Sequence, residues 1–285
     1  MTQGDLMSEQ VWLVTGSSRG LGRDIVEAAL TAGNSVVATA RNTKTLEDLR
    51  ATYGERILPL TLDVTDPAQA ESVVAAAVET FGRLDVVVNN AGYADIAPIE
   101  NTDLSSFRAQ VDAVFYGTVH VTQAALPVFR NQGSGLFIQV TSVGGRLTAP
   151  GLGAYQAAKF AVEGFSSVLH QEVSPLGIRV ILAEPGSMRT DWAGDSMNVA
   201  TFDPAYDATV GAMARRTRES SGSQPIDPKA VARVFVEIAE HPAPPLHLLL
   251  GSDAVDYMAK TLEATAAEDR QWAGVGRSVD FANTK

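Results

Sequence analysis

Three residues in the middle of the chain combine a hydroxyl, a phenol and an ammonium at a spacing that suits proton chemistry. They are Ser142, Tyr155 and Lys159. Tyr155 and Lys159 stand four positions apart in a stretch with helical character, so their side chains share one helix face. Ser142 follows the apolar run 136–140, which predicts a buried strand, and ligands of open α/β sheets bind at strand ends. We therefore expect the three groups to converge and to move a proton to or from an oxygen atom.

A glycine-rich turn follows the first apolar run of the chain. The run 11–14 predicts a strand, and the sequence TGSSRGLG at 15–22 leads into an amphipathic helix that ends near Gly33. Glycines let the backbone approach a phosphate, and the N-terminus of a helix attracts the anion. A second apolar run at 35–40 completes a βαβ unit. The turn therefore predicts a dinucleotide site, with contacts expected at Gly16, Ser18, Arg19, Gly20, Leu21 and Gly22.

The same turn contains the G-x-S-x-G pattern of serine hydrolases, with Ser18 at the position of the nucleophile. In those enzymes the nucleophile follows a central strand, and strands earlier in the chain supply part of the oxyanion hole. Only one strand is predicted before Ser18. The sequence therefore favours the dinucleotide site over a hydrolase.

The residue after the second predicted strand bears on the type of dinucleotide. A site for NAD places an acidic residue there, which binds the ribose 2′-hydroxyl. This chain has Arg41 at that position, and Arg19 lies in the glycine turn. Two guanidinium groups can hold a 2′-phosphate through charge-assisted hydrogen bonds, although both arginines could also be ordinary surface residues. We predict that NADP(H) is preferred over NAD(H).

Strands and helices alternate along the rest of the chain. Helices are predicted at about 43–53, 67–81, 104–131 and 228–239, and further strands at 57–62, 84–88, 178–183 and 246–250. This order is typical of an α/β fold: a doubly wound parallel sheet of the Rossmann type, with helices on both faces. We predict a polar N-terminal tail at 1–9 and a single domain at 10–285. Residues 187–228 break the pattern and are interpreted as a mobile, partly helical substrate lid.

Two further strand ends carry residues that could line the cofactor cleft. Asp63 and Val64 close the third strand, where a carboxylate could meet an adenine amino group or could cap the next helix. Asn90, Ala91 and Gly92 close the fourth strand, where a tight turn is expected. We include all five among the predicted cofactor contacts.

Composition argues against several classes of function. The formal net charge of −11 argues against nucleic acid or an anionic membrane as a partner. No apolar run approaches the length of a membrane span, and 1–10 lacks the features of a signal peptide, so we predict a cytoplasmic location. Cysteine is absent, which excludes disulfides and thiolate metal sites. The four histidines lack the spacing of ligands, and no metal site is predicted.

Four elements, in this order, resemble the short-chain dehydrogenase/reductase family. They are TGSSRGLG, NNAG at 89–92, Ser142 with Tyr155-x-x-x-Lys159, and Pro185-Gly186. The resemblance spans about 11–250. It implies a nicotinamide cofactor, hydride transfer between this cofactor and a carbonyl or alcohol carbon, and a homodimer or homotetramer built on two long helices. It also implies cofactor contacts at Tyr155, Lys159, Pro185, Gly186, Met188 and Thr190.

The resemblance assigns a role to each of the three central residues. Tyr155 would be the general acid in reduction and the base in oxidation. Lys159 would hold the nicotinamide ribose and, together with the oxidised nicotinamide, would lower the pKa of the phenol by the roughly 3 units needed near neutrality. Ser142 would donate a hydrogen bond to the substrate oxygen.

One position departs from the family pattern. Many relatives carry an asparagine three residues before a glycine in the long central helix, where it supports a water chain to the lysine. Here the glycine is Gly117 and the aligned residue is Val114. Either the backbone or another side chain serves that relay, or catalysis is slower. A cofactor-binding regulator with little turnover therefore remains an alternative, as does an epimerase or dehydratase that uses the same cleft.

The predicted walls of the substrate site are mostly apolar. They comprise the loops 93–99 and 143–153 and three lid residues, Met188, Trp192 and Met197. This composition favours a lipophilic or medium-sized carbonyl compound over a multiply charged one.

Overall fold

A computed structural model describes residues 9–190 and 197–281, and it shows a parallel sheet of seven strands. All neighbouring strands pair in parallel, in the order β3-β2-β1-β4-β5-β6-β7. The direction of winding reverses between β1 and β4, which is where doubly wound sheets bind ligands. The strands are β1 (Val11–Val14), β2 (Ser35–Ala40), β3 (Ile57–Thr61), β4 (Val86–Asn89), β5 (Gly135–Val140), β6 (Ile178–Pro185) and β7 (His247–Leu250).

Helices cover both faces of the sheet. In the described ranges they are α1 (Gly20–Thr31), α2 (Glu47–Tyr53), α3 (Pro67–Phe81), α4 (Leu104–Val111), α5 (Gly117–Gln132), α6 (Gly153–Val173), α7 (Ala212–Glu219), α8 (Pro228–Glu240) and α9 (Ser252–Arg277). Helices α1, α2 and α8 pack on one face, and α3, α5 and α6 pack on the other. The single-domain, doubly wound fold predicted from the sequence is therefore confirmed.

The central strands are buried on both faces, which explains their continuous apolar runs. Successive side chains of β1 point to opposite sides of the sheet. Trp12 and Val14 belong to the core under α1 and α8, whereas Val11 and Leu13 belong to the core under α3 and α5. Each strand therefore contributes to both hydrophobic layers and holds its carboxyl end rigidly at the edge of the sheet.

Local signals set the ends of α3 and decide the role of Asp63. The side chain of Asp66 accepts hydrogen bonds from the backbone N of Ala68 and Gln69 at 2.9 and 3.2 Å, so Asp66 is the N-cap. Asp63 instead accepts from the backbone N of Thr65 at 3.0 Å. The alternative that Asp63 caps this helix is wrong, because the chain turns once more before the helix begins.

The long helix predicted at about 104–131 is interrupted. A π-helical turn, Asp112–Tyr116, separates α4 from α5 and includes Val114. Gly117, which follows it, lies so close to the loop after β3 that a Cβ there would be 2.6 Å from a side-chain carbon of Val64. The wide turn thus occurs where this helix is pressed against the neighbouring strand end, beside the predicted site.

Residues 187–190 and 197–228 contain α7 and a second π-helical turn, Asp207–Gly211. A short parallel bridge joins this segment to the body at Ile96–Val199, and a second one, Met188–Ile226, links two parts of the segment itself. The predicted tail lies outside the described residues except for Glu9, whose carboxylate accepts from the Ser35 hydroxyl at 2.7 Å. Within the described ranges, no helix combines the length and the apolar composition needed to cross a bilayer.

Candidate active site

A cavity of about 1250 Å³ opens at the carboxyl edge of the sheet. Its lining includes every residue that the sequence predicted to bind cofactor or to act on the substrate. They are Gly16, Ser18, Arg19, Gly20, Leu21, Gly22, Arg41, Asp63, Val64, Asn90, Ala91, Gly92, Ser142, Tyr155, Lys159, Pro185, Gly186, Met188 and Thr190. The fold thus brings together residues that are up to 174 positions apart in the chain, counted from Gly16 to Thr190.

The glycine turn is shaped for close approach of the backbone. Gly16 and Gly20 have φ angles of +69° and +55°, in the left-handed region that other residues rarely adopt. A Cβ on Gly22 would lie 2.3 Å from the carbonyl oxygen of Gly16. The turn therefore depends on glycine at these positions, and its backbone leads directly into the N-terminus of α1, a natural site for a phosphate.

Hydrogen bonds between the residues that follow β1 and those that follow β4 hold this turn in place. The Thr15 hydroxyl oxygen accepts from the backbone N of Asn90 and Ala91 at 2.9 and 3.0 Å. The Asn90 side-chain amide donates to the carbonyl oxygen of Thr15 at 2.9 Å. Asn89 does not line the cavity and instead donates to the side chain of Gln139 at 2.9 Å in the core. Asn90 is thus a brace of the glycine turn as well as part of its wall.

Arg19 and Arg41 lie at the cavity wall and are exposed. Arg19 precedes α1 with an extended backbone, and Arg41 follows β2, whose last residue Ala40 also lines the cavity. In the described part of the chain, no carboxylate forms an ion pair with either guanidinium. Both positive charges therefore remain available to an anionic ligand.

Ser142, Tyr155 and Lys159 converge as their spacing predicted. The Ser142 hydroxyl accepts from the backbone N of Gly144 at 3.0 Å and also hydrogen-bonds with the Tyr155 side chain. Lys159 lies one helical turn after Tyr155, with its Nζ 5.7 Å from the centroid of the phenol ring. Lys159 Nζ donates to the carbonyl oxygen of Val140 at 2.6 Å. This contact joins α6 to the end of β5.

Burial shifts the pKa values of both the phenol and the ammonium, and the shift of Tyr155 is opposite to the predicted one. It raises the pKa of Tyr155 to about 12, against a smaller opposing effect of the Ser142 hydrogen bond. Burial also lowers the pKa of Lys159 to about 8, opposed by the negative charge of Glu163. The protein's own groups therefore favour the neutral phenol. The pKa decrease expected for Tyr155 requires a further positive charge beside the phenol.

Val114 lies close to Lys159. It is buried, and its Cγ2 is 3.4 Å from the point where a Cβ on Gly92 would stand. Lys159 Nζ lies 4.0 Å from the same point. The hydrogen bond that Lys159 makes here goes to the Val140 backbone, which favours the alternative in which backbone groups replace the asparagine of many relatives.

The structure also places residues that sequence reasoning missed. Gln156 on α6 accepts from the backbone N of Ala149 at 2.9 Å and donates to the carbonyl oxygen of Leu147 at 3.1 Å, which fixes the loop after Ser142. Its position next to Tyr155 is the only sequence signal that could have identified it. The carboxylate of Glu184 accepts from Arg146 at 2.9 Å. No spacing in the sequence connects those two residues.

The substrate walls agree with the prediction only in part. Both predicted loops contribute to the cavity, and Met188 does so from the lid. Met197 does not line the cavity: it is buried against Ile96 and Val210, so its prediction as a wall residue is wrong. It belongs to a separate core that packs the predicted lid segment on the loop at 93–99. Met213 lines the cavity instead. Trp192 lies outside the described residues.

The hydrolase alternative for Ser18 lacks a base. Among the described residues that line the cavity there is no histidine. The side chain of the neighbouring Ser17 is buried and donates to the carbonyl oxygen of Val14 at 2.9 Å, so it serves the turn. The geometry of this region is that of a phosphate-binding turn.

Comparisons of the sequence and of the structure with known proteins point to the same family. Residues 10–199 match the model of the short chain dehydrogenases. The Oxidoreductase BOA17 of Botryotinia fuckeliana is 51% identical over 264 residues, covering 92% of this chain and 96% of that protein. The Oxidoreductase calM of Penicillium decumbens is 33% identical over 271 residues, covering 90% and 89%. A crystal structure of a short-chain dehydrogenase from Streptomyces avermitilis has a TM-score of 0.90 and 40% identity, covering 96% of this chain and 100% of that one.

Proposed function

The chain belongs to the short-chain dehydrogenase/reductase family of oxidoreductases with a nucleotide cofactor, and from that premise we propose that it transfers hydride between NADP(H) and a carbonyl or secondary alcohol. One observation carries the proposal. The Ser142–Tyr155 hydrogen bond and Lys159 Nζ, 5.7 Å from the phenol ring, lie in the same cavity as the glycine turn. A proton donor for an oxygen atom thus shares one space with a site suited to a dinucleotide.

The residues present fit a nicotinamide dinucleotide. The glycine turn packs so tightly that a Cβ on Gly22 would overlap the carbonyl oxygen of Gly16, and α1 presents its N-terminus there. Gly92 and Lys159 lie further along the same cavity, where Lys159 would hold ribose hydroxyl groups. When bound, the cofactor supplies or accepts the hydride. The remaining chemistry is a proton transfer that the chain's own side chains perform.

In reduction, Tyr155 donates its phenolic proton to the oxygen of the carbonyl group. A pKa near 12 keeps that proton in place until negative charge develops on the substrate oxygen. Ser142 donates a second hydrogen bond to the same oxygen and so stabilises the developing charge. In oxidation Tyr155 is the base, and the Lys159 ammonium favours its phenolate form.

Preference for NADP(H) is proposed on the basis of Arg19 and Arg41. Both guanidiniums lie at the cavity without a carboxylate partner in the described residues, and β2 ends at Ala40 where an acidic residue would favour NAD. Forked hydrogen bonds from arginine suit a phosphate. Asp63 lines the same end of the cavity and is proposed to meet the adenine.

The substrate is proposed to be a lipophilic or medium-sized carbonyl compound. The cavity lining includes five apolar residues outside the glycine turn, which are Val143, Leu147, Leu152, Met188 and Met213. The segment 187–228 is proposed as the lid of this site, because α7 contributes to the wall.

We also propose a homodimer or homotetramer and a cytoplasmic location. The exposed apolar residues Tyr116, Phe160 and Val168 lie on or beside the long helices α5 and α6, where family members associate. Light scattering coupled to size-exclusion chromatography measures the mass directly. A monomer at micromolar concentration would contradict this part of the proposal.

The first experiment measures NADPH consumption with a panel of aldehydes, ketones and quinones, with NADH in parallel. Turnover that prefers NADPH supports both the enzyme and the cofactor assignment. Preference for NADH overturns the cofactor assignment alone. Tight NADPH binding without turnover, or a product formed without net oxidation or reduction, would favour a regulator or an epimerase in place of the dehydrogenase.

A further inference from the structure

The ammonium group of Lys159 is buried, which makes its charged form unfavourable. Lys159 is 6% exposed, and burial alone would favour its neutral amine. Its one hydrogen bond to a described residue is to the carbonyl of Val140. A carbonyl dipole compensates only part of the cost of burying an ammonium. A positive charge at this position needs a negative charge near it.

Glu163 lies one helical turn after Lys159, on the same buried face of α6. Its residue is 7% exposed, and neither carboxylate oxygen has a hydrogen-bond donor among the described residues. Thr141 is near enough to lower the pKa of this carboxyl, but the Thr141 hydroxyl donates its hydrogen to the carbonyl of Ala183 at 2.9 Å. Glu163 is therefore a buried acid without a dedicated partner.

The surroundings of Glu163 connect it to solvent. On β6, Glu184 is fully buried and is held by Arg146 at 2.9 Å. On β7, His247 Nδ1 lies 2.6 Å from Glu184 Oε1 and 3.5 Å from Glu163 Oε2. The His247 side chain is 39% exposed. A proton can thus pass between Glu163 and water through the imidazole.

The charged form of the Glu163 carboxyl group is energetically unfavourable at this position. Burial raises its pKa to about 7, and the negative charge of Glu184 adds to the increase, while Thr141, His247 and Arg146 oppose it. A buried carboxylate that accepts no hydrogen bond destabilises a fold, and such groups concentrate at functional sites. A neutral side chain of the same shape would fit this position better, so a role for the charge itself is indicated.

A divalent metal ion is the competing explanation. One ligand atom from each of Glu163, Glu184 and His247 lies within 4.8 Å of the others. However, the guanidinium of Arg146 contacts both oxygens of Glu184, at 2.9 and 3.1 Å. A cation already neutralises that carboxylate, and a second one beside it would be repelled.

We propose that Glu163 is the buried counter-charge that holds Lys159 in its ammonium form, and that Glu184, Arg146 and His247 set its protonation in contact with solvent. The inference deepens the proposed function, because it rests on Lys159 as the charged partner of Tyr155. Glu163 touches neither substrate nor cofactor in this scheme. It is a positioning residue that acts through Lys159.

The two groups complement each other across neutral pH. Below about pH 7 Glu163 binds a proton, and its negative charge no longer opposes the effect of burial on Lys159. Above pH 7 Glu163 becomes negative, and its charge then opposes loss of the proton from Lys159. The ammonium therefore persists to higher pH than burial alone would allow.

The test measures the pKa of Lys159 directly and needs no substrate. The protein is labelled with carbon-13 at lysine Cε, the Lys159 resonance is assigned with Lys159→Arg, and its chemical shift is followed from pH 6 to pH 11. In Glu163→Gln we expect the pKa of Lys159 to fall by about one pH unit, a tenfold change in acidity. The matched control is Glu172→Gln, an exposed glutamate on the same helix, which should leave it unchanged.

Two further measurements complete the test. In the wild-type protein, the Lys159 resonance should show a minor inflection near pH 7 from Glu163, even if the variant fails to fold. A pKa of Lys159 that stays within about 0.3 units in Glu163→Gln, or a wild-type titration without that inflection, would overturn the inference. Addition of Zn²⁺ should leave the melting temperature unchanged. If Zn²⁺ raises the melting temperature in a saturable way, and Glu163→Gln abolishes this effect, the group is a metal site and the counter-charge inference is overturned.

Discussion

The two walls of the cavity are built on different physical principles. The wall from β1 and β4 uses backbone: Thr15 and Asn90 fix the glycine turn through uncharged hydrogen bonds, and Gly22 leaves room for close approach. The wall from β5, α6 and β6 buries ionisable groups, among them Tyr155 and Lys159. The first wall should therefore be sensitive to added volume and indifferent to pH. In the second wall, even a substitution that keeps the shape of a side chain should have a strong effect when it changes the charge.

The largest effect is expected from removal of the phenolic hydroxyl. Tyr155→Phe keeps the ring but eliminates the proton donor, and kcat should fall by about 1000-fold with the best carbonyl substrate of the panel. NADPH affinity, measured by fluorescence, should stay within about threefold, because the opposite wall is untouched. A variant that retains wild-type kcat would show that the ionisable wall does not perform the proton transfer.

The next effect tests the backbone wall with a single methyl group. Gly22→Ala would place a Cβ 2.3 Å from the carbonyl oxygen of Gly16 and 2.5 Å from the Asn90 amide nitrogen. Since a backbone oxygen cannot move aside cheaply, we expect NADPH affinity to fall by at least about 100-fold. Gly164→Ala is the control, because nothing lies within 4 Å of its added Cβ. Equal behaviour of the two variants would mean that the turn is not closely packed.

A stability measurement tests the charged wall. The folded-state pKa of Glu163, about 7, exceeds its ordinary value of 4.5, so this group's contribution to stability is lost as pH rises from 4.5 through 7. Glu163→Gln has no proton to lose. The variant should therefore exceed the wild type in unfolding free energy by about 2 kcal/mol at pH 8, and by much less at pH 5. Urea unfolding at both pH values checks this. A difference independent of pH would point to packing alone.

The smallest effect concerns the cofactor's phosphate. Arg41→Ala should weaken NADPH binding by about tenfold and leave NADH binding nearly unchanged, because one charge-assisted contact is lost. Titration with both nucleotides separates this result from general damage. Arg50→Ala, which removes an exposed arginine on α2 away from the cavity, is the matched control. Equal losses for NADPH and NADH would contradict the assignment of Arg41.

The sequence predicted the backbone wall almost completely and the charged wall only in part. Glycine turns and strand ends are local patterns, so their residues could be read directly, as could Tyr155 and Lys159 at helical spacing. The group of Arg146, Glu163, Glu184 and His247 comes from four separate elements. No local pattern links them. The same limit explains Met197, whose apolar character fits a wall and a core equally well.

Gln156 has a consequence for how this enzyme's selectivity can change. Its amide ties the backbone of the loop at 147–149 to the helix that carries Tyr155 and Lys159. The loop's side chains are therefore presented on a frame that does not depend on their own identity. Exchange of Leu147 or Thr148, which both line the cavity, should remodel the proposed substrate site and leave the positions of Tyr155 and Lys159 unchanged. The side chains that would contact the substrate can therefore change independently of Tyr155 and Lys159. This independence suits both divergence in evolution and redesign in the laboratory.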